Sequence, residues 1–104
     1  MHTQAQNLIA ILGDIVAERT KQDQRWGRQH HADGTGGEDV RAETQRMRAR
    51  CDFLDREGDV NWATILLEEV YEALCETDPE KLAEELTQVA AVTVAWLEDL
   101  RERD

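Results

Sequence analysis

The sequence is poor in residues typical of β-rich folds, since proline occurs once and aromatic residues make up only 5% of its 104 positions. β-sandwiches and barrels rely on aromatic and β-branched strands separated by frequent turns. We therefore expect an all-α fold. The length suffices for one domain, so the sequence predicts a single helical domain over residues 1–104.

Positive charge is also scarce, because 12 Lys and Arg residues are outnumbered by 23 Asp and Glu residues, which leaves a formal net charge of −11. Proteins that bind a nucleic acid backbone or an anionic membrane need a basic surface. The charge balance therefore argues against a nucleic acid polymer and against a membrane as partners. An anionic ligand such as a nucleotide would need a divalent cation between itself and the protein.

Long apolar runs and cysteine metal motifs are missing as well. The apolar run at residues 8–12 is short and is followed by Gly13 and Asp14, so it predicts neither a signal peptide nor a membrane span of about 20 residues. Cys51 and Cys75 lack the spacing of metal ligands. We expect reduced thiols and a cytoplasmic protein, with a disulfide as the unsupported alternative.

Four amphipathic segments predict four helices separated by turn signals. Asp78 followed by Pro79 is typical of a helix start, with an N-cap and then proline at the first helical position. Gly58 is placed to end the second helix. Asn61 or Asp59 would cap the start of the third helix. The predicted helices cover roughly residues 3–25, 39–57, 61–77 and 79–102.

Two of these helices predict an oligomer. The second helix has only a thin apolar stripe, so we expect it to pack loosely or only within an oligomer; the stripe consists of Val40, Met47, Cys51 and Leu54. The third helix has a second apolar face, which lies away from Glu69 and consists of Leu67, Val70, Tyr71 and Leu74. A helix that is apolar on two sides is sandwiched between neighbours. A small chain also gains buried surface by association, so we expect a homodimer or homotetramer.

The first helix changes character along one face. Its early turns carry an apolar stripe expected to face the core, formed by Leu8, Leu12, Ile15 and Val16. The same direction then meets polar residues and an aromatic one, namely Arg19, Gln22, Asp23 and Trp26. Either the helix leaves the core and its last turns are solvated, or its polar end lines a cavity. In the second case Trp26 would stack on a flat ligand such as a base.

Acidic residues are expected to converge across the short turn at Pro79, because the third and fourth helices should lie antiparallel. Positions equally far from the turn pair Glu72 with Glu85 and Glu69 with Gln88. Three carboxylates this close cannot all stay ionised without a cation, and oxygen ligands favour Mg²⁺ or Mn²⁺. The alternative is an acidic helix edge with surface ion pairs. The two glutamates expected to point further out, toward solvent or behind these ligands, are Glu68 and Glu84.

The acidic segments resemble a known family. "EEVYE", residues 68–72, followed by "EELTQ", residues 84–88, resembles the EExxE…ExxD signature of the MazG-like all-α nucleotide pyrophosphohydrolases. The neighbouring segments "ERTKQDQRWG", "WATILLEEVYEAL" and "ELTQVAAVTVAWLEDL" fit as well, and the likeness is weakest over residues 38–58. The resemblance implies an oligomeric four-helix MazG-like bundle. It also implies Mg²⁺-dependent hydrolysis of a nucleoside triphosphate to the monophosphate and pyrophosphate.

The resemblance implies roles for individual acidic residues. Glu69, Glu72 and Glu85 would bind the metal, and the fourth ligand position is Gln88, where the signature has Asp. Glu68 would orient the attacking water as a base, and Glu69 would share the catalytic centre with it. Because a neutral amide is a weaker ligand, two alternatives stay open. One is a catalytically weakened relative that binds nucleotides for regulation, and the other is a non-enzymatic helical oligomerisation module.

Substrate contacts are expected on the first helix and the loop after it. Arg19 and Lys21 are candidate contacts for phosphate, Gln22 would read the edge of the base, and Trp26 would stack on it. The glycine-rich loop 27–38, which contains two histidines, is either a lid over the ligand or an exposed loop.

Overall fold

The computed structural model describes residues 3–103, which fold into four helices. These are α1 (Gln4–Trp26), α2 (Glu38–Arg56), α3 (Trp62–Cys75) and α4 (Pro79–Glu102). No strand occurs among the described residues, so the all-α prediction is confirmed. None of the helices in this part of the chain combines the length and the apolar character needed to span a membrane.

Capping groups fix the helix ends close to the predicted positions. The side chain of Asn61 accepts a hydrogen bond from the Thr64 amide at 2.9 Å, so Asn61 is the N-cap of α3. Asp78 accepts from the Lys81 amide at 3.1 Å and starts α4 in the same way. Gly58, which follows α2, has φ 75°, the left-handed conformation in which glycine commonly ends a helix.

The loop between α1 and α2 is tied down at its end. Helix α3 stops two residues earlier than predicted, and the Leu74 carbonyl accepts a hydrogen bond from the Gly36 amide at 2.8 Å. Gly36 has φ 90°, and a Cβ atom there would collide with the Thr77 side chain, so glycine is required. Within loop 27–38, residues 35 and 36 are half-buried and the others are exposed. The choice between a lid and an exposed loop therefore stays open for residues 27–34, which precede this attachment.

The chain separates into two compact units. One unit comprises Gly34–Thr93, and the other comprises the residues up to Asp33 together with those from Val94 onward. The prediction of one domain over residues 1–104 stays a prediction. Residues 1, 2 and 104 of that predicted domain lie outside the described residues.

Helix α2 packs antiparallel on α3 within the larger unit. The hydroxyl of Thr44, a residue only 2% exposed, lies 3.1 Å from the Tyr71 carbonyl oxygen and 3.0 Å from the Cys75 sulfur. Arg48, four residues after Thr44 in α2, pairs with Glu72, which lies three residues before Cys75 in α3. The pairing partners thus move backward along α3 as α2 moves forward. The alternative that α2 packs only in an oligomer is therefore wrong, whereas loose packing stays a prediction, since Thr44 is the one buried residue of this helix. A buried polar residue contributes to this contact, and an apolar stripe does not reveal it.

Few apolar side chains are buried in the chain by itself. The buried apolar residues among those described are Ile11, Ala73 and Leu82. The stripe of α1 that was expected to face the core is instead 37% to 65% exposed; it consists of Leu8, Leu12, Ile15 and Val16. The apolar residues of α1 spread over a wider arc than this chain covers, so much of that arc is open to solvent.

Candidate metal centre

Three glutamates from α3 and α4 come together in the larger unit. Glu69, Glu72 and Glu85 each place one carboxylate oxygen within 4.8 Å of the others, and all three residues are half-buried. Glu69 and Glu72 share one side of α3 because residues three apart are neighbours on a helix surface. The predicted convergence of these carboxylates is confirmed, and their role as metal ligands stays a prediction.

Negative charge dominates the electrostatics around Glu69. Burial raises the pKa of Glu69 above its usual value, and the negative charges of Glu72, Glu85 and Glu68 raise it further. A divalent cation would reverse this effect, because it favours the ionised form of every ligand. The donor set contains only oxygen atoms, which suits a hard ion such as Mg²⁺ or Mn²⁺.

Glu68 does not face solvent, which corrects one of the two orientations expected for it. The Cys51 thiol of α2 forms a hydrogen bond with the Glu68 side chain, and this bond, burial and nearby negative charge raise the pKa of Cys51 to about 11. The other carboxylate oxygen of Glu68, Oε2, is buried without a hydrogen-bond partner among the described residues. The sequence pattern predicts that Glu68 points outward, but the side of α3 that it lies on is covered by α2 and not by solvent.

Cys51 and Cys75 are free in this structure, and the reduced state of the thiols in the cell stays a prediction. The Cys75 sulfur lies beside the Thr44 hydroxyl, and Cys51 lies beside Glu68. A thiol with a raised pKa stays protonated at neutral pH and acts as a hydrogen-bond donor. Cys51 therefore helps to hold the Glu68 carboxylate in place.

A positive charge that the sequence did not reveal lies at the edge of the cluster. Arg48 Nε donates to Glu72 Oε1 at 3.1 Å, with the Arg48 side chain 55% exposed and that of Glu72 22% exposed. The two residues are 24 positions apart, so no helical spacing links them. Only the pairing of α2 with α3 brings this guanidinium to the carboxylates.

The fourth predicted ligand, Gln88, is exposed and lies on α4 three residues after Glu85. Residues three apart lie on one side of a helix, so the amide and the Glu85 carboxylate share a side of α4. Its role in binding a metal stays a prediction. Glu84 is exposed, as predicted.

The predicted substrate contacts lie in the other compact unit, on the last turns of α1. Lys21, Gln22 and Trp26 line an open groove together with Glu18 and Arg25. The Arg25 guanidinium lies over the Trp26 ring, 5.0 Å from its centre, where the ring attracts a cation. All five residues are exposed, so this end of the helix is solvated and also lines a groove.

Arg19 does not line that groove. Its guanidinium donates to Gln22 at 2.9 Å and to Asp23 at 3.0 Å, both on the same helix. These two bonds use two of the five N–H donors of the guanidinium. Its role as a phosphate contact stays a prediction.

Comparison with protein-family models, with curated proteins and with solved structures finds no match for this chain. The resemblance to the MazG-like pyrophosphohydrolases therefore depends on the motif residues themselves. What the fold adds is an all-helical chain in which the three motif glutamates meet.

We predict that Glu69→Gln stabilises the metal-free protein at pH 7 and raises its Tm, because it removes a carboxylate whose ionised form is disfavoured by burial and by neighbouring negative charges. The pKa of Glu69 is higher in the folded state than its usual value of 4.5. Its contribution to stability is therefore complete below that value and is lost as pH rises through the folded pKa. Thermal melts in EDTA from pH 4 to 8 should show a smaller loss of stability in the variant. Glu84→Gln removes the same charge from an exposed position, and equal behaviour of the two variants would contradict the prediction.

Proposed function

We propose that this protein is a Mg²⁺-dependent nucleoside triphosphate pyrophosphohydrolase, which converts an NTP or dNTP to the monophosphate and pyrophosphate. The observation that carries the proposal is the meeting of Glu69, Glu72 and Glu85 within 4.8 Å across the α3–α4 turn. The order of the motif residues in the sequence, which resembles the MazG-like family, supports the same reaction. Mn²⁺ would substitute for Mg²⁺, since both are hard ions that prefer oxygen ligands.

In the proposed mechanism, the charge offset that lets an anionic substrate approach a chain of net charge −11 would come from a divalent cation held by acidic side chains. Glu69, Glu72 and Glu85 would hold that ion. Glu68 would orient the attacking water, because its buried Oε2 has an unused capacity to accept a hydrogen bond. The water oxygen would attack a phosphorus atom, the bond to the leaving pyrophosphate would break, and Glu68 would take the proton.

The proposal assigns recognition of the nucleotide to the end of α1. Trp26 is 63% exposed at the last position of the helix, which leaves its ring accessible for stacking on a base. Lys21 and Arg19 would contact phosphate, and Gln22 would bind the edge of the base. The exposed loop residues 27–34 would cover the nucleotide if the loop acts as a lid.

The proposal includes a homodimer or homotetramer of a MazG-like four-helix bundle, in the cytoplasm. Large apolar side chains that are half or more exposed and lie outside the proposed nucleotide contacts support association; they are Ile9, Val16, Phe53 and Leu86. The two free thiols support a reducing compartment. The acidic net charge gives no support to a nucleic acid polymer as a partner.

Gln88 favours a second candidate function, a relative that binds nucleotides with little hydrolysis and serves in regulation. A neutral amide contributes less than a carboxylate to the binding of a divalent cation. The exposed apolar side chains favour a third candidate function, that of a helical oligomerisation module whose acidic edge binds no ligand.

We predict that the protein releases pyrophosphate in a screen of canonical and modified nucleoside triphosphates with Mg²⁺ or Mn²⁺. Glu72→Ala and Glu85→Ala should each lower this activity by about 100-fold or more, because each removes a proposed metal ligand. Glu84→Ala, an exposed carboxylate on α4, should keep at least about half of the activity.

The same screen separates the three candidate functions. If the wild type releases no pyrophosphate but a nucleotide with Mg²⁺ raises its Tm, the regulatory function replaces the enzymatic one. If Mg²⁺ with nucleotide neither reacts nor changes the Tm, the oligomerisation module is the better account.

A separate prediction concerns the fourth ligand position. Gln88→Asp should lower the Mg²⁺ concentration that gives half-maximal activity by about fivefold, because it adds a carboxylate beside Glu85. Thr87→Asp is the matched control, since it adds the same charge at the neighbouring exposed position of α4. Equal effects of the two substitutions would show that net charge, and not ligation at position 88, determines the response.

A further inference from the structure

We propose that Arg48 acts as an internal counter-ion that leaves Glu72 when the metal binds and then pairs with the triphosphate. In this way the Arg48 guanidinium couples the binding of the metal to the binding of the substrate. This inference rests on the proposed function, because it assumes that Glu72 is a metal ligand and that the substrate carries phosphates. The structure supports it through the position, the exposure and the bonding of Arg48.

The position of Arg48 is fixed on both sides along α2. One turn earlier, the Thr44 hydroxyl contacts the backbone of α3 at Tyr71. Three residues later, Cys51 bonds to Glu68. The backbone of Arg48 is thereby held between two contacts with α3, and its side chain reaches Glu72 from there. A cation is thus placed against one of the three converging carboxylates by packing that does not itself involve the cation.

The contact differs in kind from three ion pairs elsewhere among residues 3–103. Arg19–Asp23, Arg46–Glu43 and Arg103–Asp99 each join residues three or four positions apart. Arg48–Glu72 joins two helices and uses the less exposed carboxylate, with Glu72 22% exposed. A partly desolvated carboxylate gains more from a nearby cation than an exposed one does. Arg48 therefore lowers the repulsion within the cluster while no metal is bound.

The bonding of Arg48 also suits a second partner. Its bond to Glu72 uses Nε, which leaves the two terminal nitrogens outside that bond. A guanidinium binds two phosphate oxygens through a pair of parallel N–H donors. Because 55% of the side chain is exposed, it can turn from the carboxylate to a phosphate at low cost. Metal binding to Glu72 would remove the bond that holds Arg48, and the triphosphate would provide the new one.

The test measures binding of Mn²⁺ alone by titration calorimetry on the full chain. Arg48→Gln should bind Mn²⁺ about fivefold more tightly than the wild type, because a competing cation has been removed. With Mn²⁺ saturating, the same variant should bind a non-hydrolysable nucleoside triphosphate analogue about fivefold or more weakly. Arg46→Gln is the matched control, because it removes the same charge from α2 at a residue that pairs with Glu43 of its own helix. Arg46→Gln should change both affinities less than about twofold.

Arg48→Lys provides a second variant, since it keeps the charge and loses the planar donor pair. It should hold Mn²⁺ affinity near that of the wild type and weaken triphosphate binding. The inference is overturned if Arg48→Gln behaves like Arg46→Gln in both titrations, or if the wild type binds no Mn²⁺. The proposed enzymatic function fails separately: the two opposite affinity changes without any pyrophosphate release would support the role of Arg48 and contradict hydrolysis.

Discussion

The repulsion among three carboxylates is the constraint on which the rest of this account depends. The turn between α3 and α4, started by Asp78 and Pro79, brings Glu69, Glu72 and Glu85 within 4.8 Å of one another. Helical packing supplies the proximity, and the acidic charges oppose it. Such an arrangement is costly in the metal-free protein and becomes favourable when a divalent cation is present. The three carboxylates could therefore hold a divalent cation.

Helix α2 adjusts this balance from the other side of α3. The buried Thr44 hydroxyl contacts the α3 backbone, and this contact determines which α2 residues approach the carboxylates. Arg48 supplies positive charge at Glu72, while Cys51 donates to Glu68. The helix with the weakest apolar pattern thus provides the groups that surround the acidic cluster.

The sequence was sufficient for the local features and for the contact across a short turn. Helix ends at Asn61 and Asp78 follow from capping chemistry. The meeting of Glu72 with Glu85 follows from their equal distance from the midpoint of the turn, between residues 78 and 79. Contacts over longer separations were not predictable. The pairing of Arg48 with Glu72 depends on how α2 lies on α3, which a highly charged helix does not encode in its apolar pattern. The exposure of the apolar stripe of α1 was not predicted. An apolar stripe indicates that a helix face is suited to packing, but it does not show whether another part of the same chain packs on that face.

The most direct test of the account is the location of a bound ion. Crystals grown with Mn²⁺ and measured at the manganese absorption edge should show one anomalous peak per chain, with oxygen atoms of Glu69, Glu72 and Glu85 as its protein ligands. The distances from the peak to these oxygens should be about 2.0–2.3 Å, as expected for a hard divalent ion. Glu72→Gln crystals should show a weaker peak under the same conditions. A peak elsewhere, or no peak at millimolar Mn²⁺ while the three carboxylates keep their positions, would contradict the central claim.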